Sequence, residues 1–279
     1  MNSISRISTS TNMLCFRRNE ERRKMVEIVP LLAKAGYKYI DLNFCELLNP
    51  NNDIDDKYIS KLDSYREEFG IVYNQCHVPY TNYYNKLNAE EQKQNDELII
   101  RAFNYASTLG VDTVVIHPIR GSIDDNKAYF EKMLKYFPSN MRLAIENMES
   151  IEELSTVEEL LTLLKKLNKK NVGICLDTGH AYMRGLDLKE TIKKLGNNLI
   201  ATHIADNHGK SDEHFMPFFG SIDWESVMSA LREINYEGFL TYEIMFFFRY
   251  IPADLQMDML VYSLKVASKL YSFFQDGSK

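Results

Sequence analysis

Short apolar runs alternate with amphipathic helical stretches from one end of this chain to the other, and that alternation restricts its fold more than any other feature. Strands separated by helices predict a parallel sheet, because bringing a strand back in the same direction needs a crossover, usually a helix. The expected strands are Ile4–Ser8, Tyr37–Leu42, Ile71–His77, Val111–Ile116, Leu143–Ile145, Val172–Leu176, Leu199–Thr202 and Phe239–Tyr242. The expected helices run over Glu20–Ala35, Asp56–Phe69, Ala89–Leu109, Asp124–Tyr136, Thr156–Leu167, Asp187–Leu195, Trp224–Ile234 and Ala253–Phe274. In the first helix Met25, Ile28, Leu31 and Leu32 keep a helical period, and Gly36 and Gly70 stop the first two. Eight such units close naturally into a barrel, so the expected class is α/β with one (β/α)8 TIM barrel domain spanning residues 1–279. An open doubly wound sheet is the rival. It lacks its usual glycine-rich phosphate loop after the first strand, and the polar candidates spread over many strand ends instead of meeting at one switch point.

A chain of 279 residues with 45% hydrophobic content can bury a core of this kind in one domain. The formal net charge of −6 gives no support to bulk electrostatic coating of nucleic acid or an anionic membrane. No run of about 18 apolar residues suggests a membrane span, and Met1–Phe16 lacks the continuous apolar core of a signal peptide. A cytoplasmic location is expected. Cys15, Cys45, Cys76 and Cys175 are too few and too far apart for a zinc finger or a disulfide framework. Cys175 shares a strand face with Asp177 and reads as a small apolar filler before it reads as a soft ligand.

The ends of the runs carry the chemistry. Four of the six histidines, His77, His117, His180 and His203, follow or close an apolar run; Asp177 shares the run of His180, and Glu146 and Glu243 close two more. In a barrel these ends converge on one mouth. Imidazole nitrogen and carboxylate oxygen together suit zinc, manganese, cobalt or iron. Glu146, Asp177, His203 and Glu243 lie on four consecutive strands, so one ion could bridge them. Asp212 and His214, an Asp-x-His pair, could point the same way from an extended segment and complete a second site with His180. His77 and His117 end adjacent strands and are read either as further ligands or as groups that grip substrate hydroxyls. His208 reads as solvent-exposed, and Lys165, Lys166, Lys169 and Lys170 as a solvated helix end.

Taken in order, these segments resemble the xylose isomerase-like TIM barrels, which include sugar isomerases, sugar epimerases and endonuclease IV. The resemblance rests on His77-Val78-Pro79-Tyr80, His117-Pro118, Ile145-Glu146-Asn147, Cys175-Leu176-Asp177-Thr178-Gly179-His180 and His203-Ile204-Ala205-Asp206-Asn207. It continues through Asp212-Glu213-His214, Gly220-Ser221-Ile222-Asp223-Trp224 and Tyr242-Glu243-Ile244, and so spans almost the whole chain.

For the isomerase and epimerase branch the resemblance implies a divalent ion (Mn, Zn, Co or Mg) held by Glu146, Asp177, His203 and Glu243. It further implies that Glu146 and Glu243 act as the acid and base that move a carbon-bound proton through a metal-stabilised enediolate. His180 would orient a hydroxyl or carry developing charge, and His77, His117, Tyr80 and Phe218 are candidate contacts to a sugar or sugar phosphate, with Phe219 and Trp224 beside them. Dimers or tetramers are implied as well. For endonuclease IV the resemblance implies three zinc ions and phosphodiester cleavage at abasic DNA, with His77, His117, Glu146, Asp177, His180, His203, Asp212, His214 and Glu243 as the donors. Gly220–Trp224 and Tyr236–Phe239 look like the sugar branch, and no arginine-rich loop suits kinked DNA. The chain departs from ketose 3-epimerases at His208-Gly209-Lys210, where they carry an arginine, and at Pro217-Phe218-Phe219-Gly220, where a glycine-rich turn is usual. A non-catalytic carbohydrate-binding barrel is the third reading and would predict missing ligands.

Overall fold

The computed structural model describes residues 6–15, 22–81, 83–150 and 154–275. Eight parallel strands close into a barrel in chain order: β1 (Ile7–Ser10), β2 (Tyr39–Asn43), β3 (Val72–His77), β4 (Thr113–Ile116), β5 (Arg142–Glu146), β6 (Val172–Asp177), β7 (Leu199–Ile204) and β8 (Leu240–Tyr242). β8 pairs back onto β1 through Ser8 and Thr241. The helices are α1 (Met25–Ala35), α2 (Asp56–Phe69), α3 (Ala89–Thr108), α4 (Ile123–Leu134), α5 (Val157–Leu167), α6 (Thr178–Met183), α7 (Leu188–Leu195), α8 (Trp224–Glu233), α9 (Met245–Phe248) and α10 (Gln256–Gln275). The chain is a single (β/α)8 TIM barrel. Among the described residues, no helix is long and apolar enough to cross a membrane.

Local chemistry explains where the helices start and stop. Asp55, Asn88, Ser122, Thr156, Asp187 and Asp223 each accept a backbone N–H of the first turn, and the Asn88, Ser122 and Thr156 caps are reciprocated by Glu91, Asp125 and Glu159. A cap of this kind is worth about 1 kcal/mol. Gly36 and Gly70 end α1 and α2 in the left-handed conformation that glycine adopts without strain.

Three expectations shift. β1 runs from Ile7 to Ser10, later than the expected Ile4–Ser8, whose Ile4 and Ser5 lie outside the described residues. α1 begins at Met25; Glu20 and Glu21 also lie outside the described residues. The short helices α6 and α9 follow β6 and β8 where loops were expected.

The strands divide their side chains between two environments. Ile40, Leu42, Tyr73, Val114, Ile116, Leu143, Ile145, Ile174, Leu176 and Tyr242 face the helices in the main core. Val115, Ala144, Cys175 and Ala201 fill one half of the barrel interior with small apolar groups. The other half is polar, with Ser8, Ser10, Asp41, Asn74, Gln75 and Thr241 all buried. Two register shifts matter to the site. Ile40 pairs with Tyr73 but Asp41 with Gln75, and Ile174 pairs with Leu199 but Cys175 with Ala201. An extra residue in β3 and in β7 reverses the in–out alternation beyond it, which turns Gln75 and His77, and Ala201 and His203, into the barrel.

Candidate metal centre

Glu146, at the last position of β5, is the hub. Its Oε2 lies 3.3 Å from Nε2 of both His77 and His117, and its Oε1 accepts from His203 Nδ1 at 2.9 Å. Glu243, immediately after β8, approaches the same His203 Nδ1 with Oε2 at 3.2 Å. Its other oxygen accepts from the Asn12 side-chain amide at 2.8 Å. Asp177 ends β6 and caps α6 by accepting the His180 N–H at 2.7 Å, which seats His180 in the first turn of a helix and not in an open loop. Asn147 ties β5 to β6, donating to the Asp177 carbonyl and accepting the Asp177 N–H.

The outer donors arrive on the segment after β7. His214 Nε2 lies 2.5 Å from Asp212 Oδ2, and His180 Nε2 lies 3.7 Å from that oxygen. The expected extended Asp-x-His geometry is modified, since His214 has a positive φ of 44°. His77, His180 and His214 share one orienting device. In each, Nδ1 faces a backbone carbonyl, of Val78, Asn147 and Glu243 respectively, at 2.8 to 2.9 Å. An Nδ1–H donated to these carbonyls leaves Nε2 as a lone pair aimed at the carboxylates, the tautomer a ligating histidine needs.

Among the described residues three groups of donors result, each with its ligand atoms within 4.8 Å of one another: His77–His117–Glu146, Glu146–Asp177–His203–Glu243, and His180–Asp212–His214. The donor chemistry fits divalent cations. Glu146 Oε2, Asp177 Oδ2 and Asp212 Oδ1 are buried without a hydrogen-bond donor, a costly state unless a cation or a proton satisfies them.

Without an ion, imidazolium–carboxylate pairing carries the charge. Burial pushes Glu146 up, but His203 and His117 override it and hold the carboxyl well below its ordinary range. Glu243 is likewise raised by burial yet pulled down to about 2, chiefly by His203. Asp177 goes the other way, up to about 7, because burial and the charges of Glu146 and Glu243 outweigh His180. Burial lowers His117; for His214 it is overridden by Asp212, and the imidazole rises to about 9.

His77, His117, Glu146, His180, Asp212, His214 and Glu243 line a cavity of about 270 Å³, with Asp177 and His203 buried behind its wall. Tyr80 joins its wall, its ring 4.0 Å from that of His117. Phe218 does not line it. The Phe218 N–H donates to Asp206, its φ is +73°, and the half-exposed ring meets Phe273 instead. Phe219 packs on Phe247, and Trp224 is buried with its indole N–H on Asp206. His208 is exposed and pairs with Glu213. Cys175 sits in the apolar interior, where burial pushes its thiol up to about 12.

The sequence reading missed Asn12, Cys45 and Glu149 in the cavity wall. Asn12 follows β1 in the Thr11–Leu14 turn, so correct placement of that strand end would have found it. Glu149 Oε2 lies 3.6 Å from His180 Nε2, three residues beyond a strand end, where no spacing rule points.

Comparison with known proteins agrees with the fold. A family model described as xylose isomerase-like TIM barrel matches residues 29–246. An uncharacterised protein of Sinorhizobium fredii is 26% identical over 166 residues, 55% of this chain, so the match spans about half (53%) of that relative's length. A D-psicose 3-epimerase of Enterocloster bolteae is 31% identical over 85 residues, covering 30% of this chain and 27% of its own. A probable endonuclease 4 of Mycoplasma capricolum is 27% identical over 184 residues, covering 58% of this chain and 64% of its own. Among solved structures, a D-tagatose 3-epimerase-like protein superposes with a TM-score of 0.77 at 21% identity, over 98% of this chain and 99% of that one, a likeness of fold. With the family model covering most of the barrel, the chain belongs to the xylose isomerase-like TIM barrel family.

Proposed function

We propose that this protein is a divalent-metal-dependent isomerase or epimerase of a sugar or sugar phosphate. The observation that carries the reading is the pair of glutamates, Glu146 and Glu243, that flank His203 Nδ1 at 2.9 and 3.2 Å in the wall of a small cavity. At about 270 Å³ the cavity is close to the lower end of small-molecule sites, roughly 300–1,000 Å³. The epimerase relatives support the same substrate class.

Glu146, Asp177, His203 and Glu243 would hold the ion, which when bound polarises a substrate carbonyl and so acidifies the neighbouring carbon-bound proton. Both glutamates are held low, so each is ionised at neutral pH and able to accept that proton. The glutamate that takes it can return it to the adjacent carbon for isomerisation; for epimerisation that glutamate gives the proton up to water, and the opposite glutamate, having first picked one up from water, delivers it to the other face. Asn12 fixes the Glu243 carboxylate through one oxygen and leaves the other for this work. His180 directs Nε2 into the cavity, where it can hold a substrate hydroxyl, and Tyr80 offers a flat apolar wall.

One observation favours a second reading, a zinc phosphodiesterase acting on abasic DNA. Single-ion proton transfer needs only the central quartet, yet His77–His117 and His180–Asp212–His214 complete two more donor groups around it. Metal content per chain, measured on protein prepared without chelators, separates the two. About one labile ion together with turnover in a ketose and aldose panel supports the isomerase. Three tightly held zinc ions, cleavage of an abasic oligonucleotide and an inert sugar panel would sink it.

A further inference from the structure

Beneath the donors, the polar half of the barrel interior holds groups that the proposed reaction does not use. Gln75 on β3 and Asp41 on β2 face each other in register, buried at 2% and 1% exposure. Gln75 Nε2 lies 3.1 Å from His203 Nε2. Neither oxygen of Asp41 makes a well-formed hydrogen bond, although the Ser10 hydroxyl lies close by on the paired strand. His203 turns its other nitrogen, Nδ1, toward Glu146 and Glu243, so Nδ1 is the atom an ion would take. An imidazole that ligates through Nδ1 carries its proton on Nε2, and that N–H needs an acceptor. The nitrogen end of an amide cannot serve. The two ends of a glutamine amide have the same shape, so turning it over costs no packing. Turned, Gln75 accepts from His203 through Oε1 and directs its NH2 to the neighbouring strand, where Asp41 lacks a well-formed hydrogen bond.

We infer that Asp41 and Gln75 are positioning residues for the ion site, acting in series: the Asp41 carboxylate accepts from the Gln75 amide, and Gln75 accepts from His203 Nε2–H. The inference rests on the central quartet as an ion site and not on which substrate is turned over. The chain Asp41–Gln75–His203 sets both the tautomer and the ring plane of His203. It also satisfies, in one arrangement, a buried carboxylate that is otherwise without a well-formed hydrogen bond.

The test is Zn²⁺ affinity, measured by competition with a chromophoric chelator on the full chain, for Gln75→Leu, Asp41→Asn and the double variant. Gln75→Leu is expected to weaken binding by about 10- to 100-fold, the usual effect of losing a histidine's outer hydrogen-bond partner. Asp41→Asn should weaken it less, and the double variant should match Gln75→Leu alone, because Asp41 acts only through Gln75. Thermal melting of the chelator-treated proteins separates positioning from mere folding. Asp41→Asn removes a buried carboxylate without a well-formed hydrogen bond, so its metal-free form should melt no lower than the parent's. Nitrogen-15 spectra of the zinc-loaded parent should place the His203 proton on Nε2. Affinities within twofold of the parent, additive losses in the double variant, or a proton on Nδ1 would overturn the inference. A parent chain that takes up no Zn²⁺ would overturn it too, together with the quartet itself, whereas an inert sugar panel would leave it standing.

Discussion

A histidine becomes a ligand only when something else claims its second nitrogen, and this chain supplies that claim from its own backbone. Val78, Asn147 and Glu243 give the carbonyls that fix His77, His180 and His214, and all three belong to the residue just after a strand end. Residue types at strand ends were legible in the sequence; which ring nitrogen faces inward was not, because it depends on main-chain atoms brought near by the fold. The hub is where substitution should tell most. Glu146 serves two donor groups and three imidazoles, so Glu146→Gln keeps the shape while removing the charge that pairs them. Zinc binding should weaken sharply, and turnover should fall on the order of 100-fold or more, the usual contribution of a general base. Metal analysis alongside a rate measurement checks this, and full activity at normal metal content would refute metal-assisted proton transfer through this residue.

Between β7 and α8 one buried carboxylate organises the loop that carries Asp212 and His214. Asp206 is fully buried and accepts from the backbone N–H groups of Asn207, Phe218 and Ile222 and from the Trp224 indole. Its own backbone bridges Phe215 in both directions. Gly220 packs so closely that a Cβ there would sit 2.2 Å from Asp206 Oδ1 and 2.5 Å from the Asn207 carbonyl. Gly220→Ala must therefore push the loop open, at a cost of about 1–3 kcal/mol for overpacking. The quartet's side chains come from strand ends, and this loop touches them through the His214 contact to the Glu243 carbonyl, so the variant should lose affinity at His180–Asp212–His214 far more than at the central ion. Metal titration with a melting curve reads both effects, and an unchanged metal stoichiometry and melting temperature would count against Asp206 as the organiser of this loop. The sequence announced the segment through its Asp-x-His pair and the Gly220–Trp224 stretch, but four donors converging on one aspartate leave no periodic trace. The bulges in β3 and β7 were hidden for a related reason. A single inserted residue reverses an in–out pattern that the alternation rule assumes to be unbroken, and only the partner strand reveals it.

At the scale of the molecule the barrel was legible because its eight apolar runs and helices are spaced by capping and stop signals that mean the same thing in any context. Closure then assembled, from residues far apart in sequence, a buried charge cluster whose titration should dominate how the whole protein responds to pH. Asp177 rises from 3.8 to about 7 through burial and its acidic neighbours, and His214 from 6.5 to about 9, because pairing with Asp212 overrides burial. A group raised in the folded state contributes stability below its unfolded value and loses it as pH climbs through its folded value. The metal-free protein therefore loses stability as pH rises, through Asp177 between about 4 and 7 and through His214 between about 6.5 and 9. Glu146 and Glu243 are held low, so their contribution is fully present over nearly all of this window and disappears only in acid, for Glu243 as pH falls toward about 2. Ion binding has the opposite dependence, because ligands must first shed protons and affinity grows with pH. At a free ion concentration of 1,000 times Kd, binding adds about 4 kcal/mol. The melting temperature with chelator should thus decline across the window while the gap opened by saturating zinc widens. Calorimetry at matched pH values checks this: two curves that ran parallel would mean that the cluster does not exchange protons for metal, and the three donor groups would have to be read as ion pairs that merely hold the barrel mouth together.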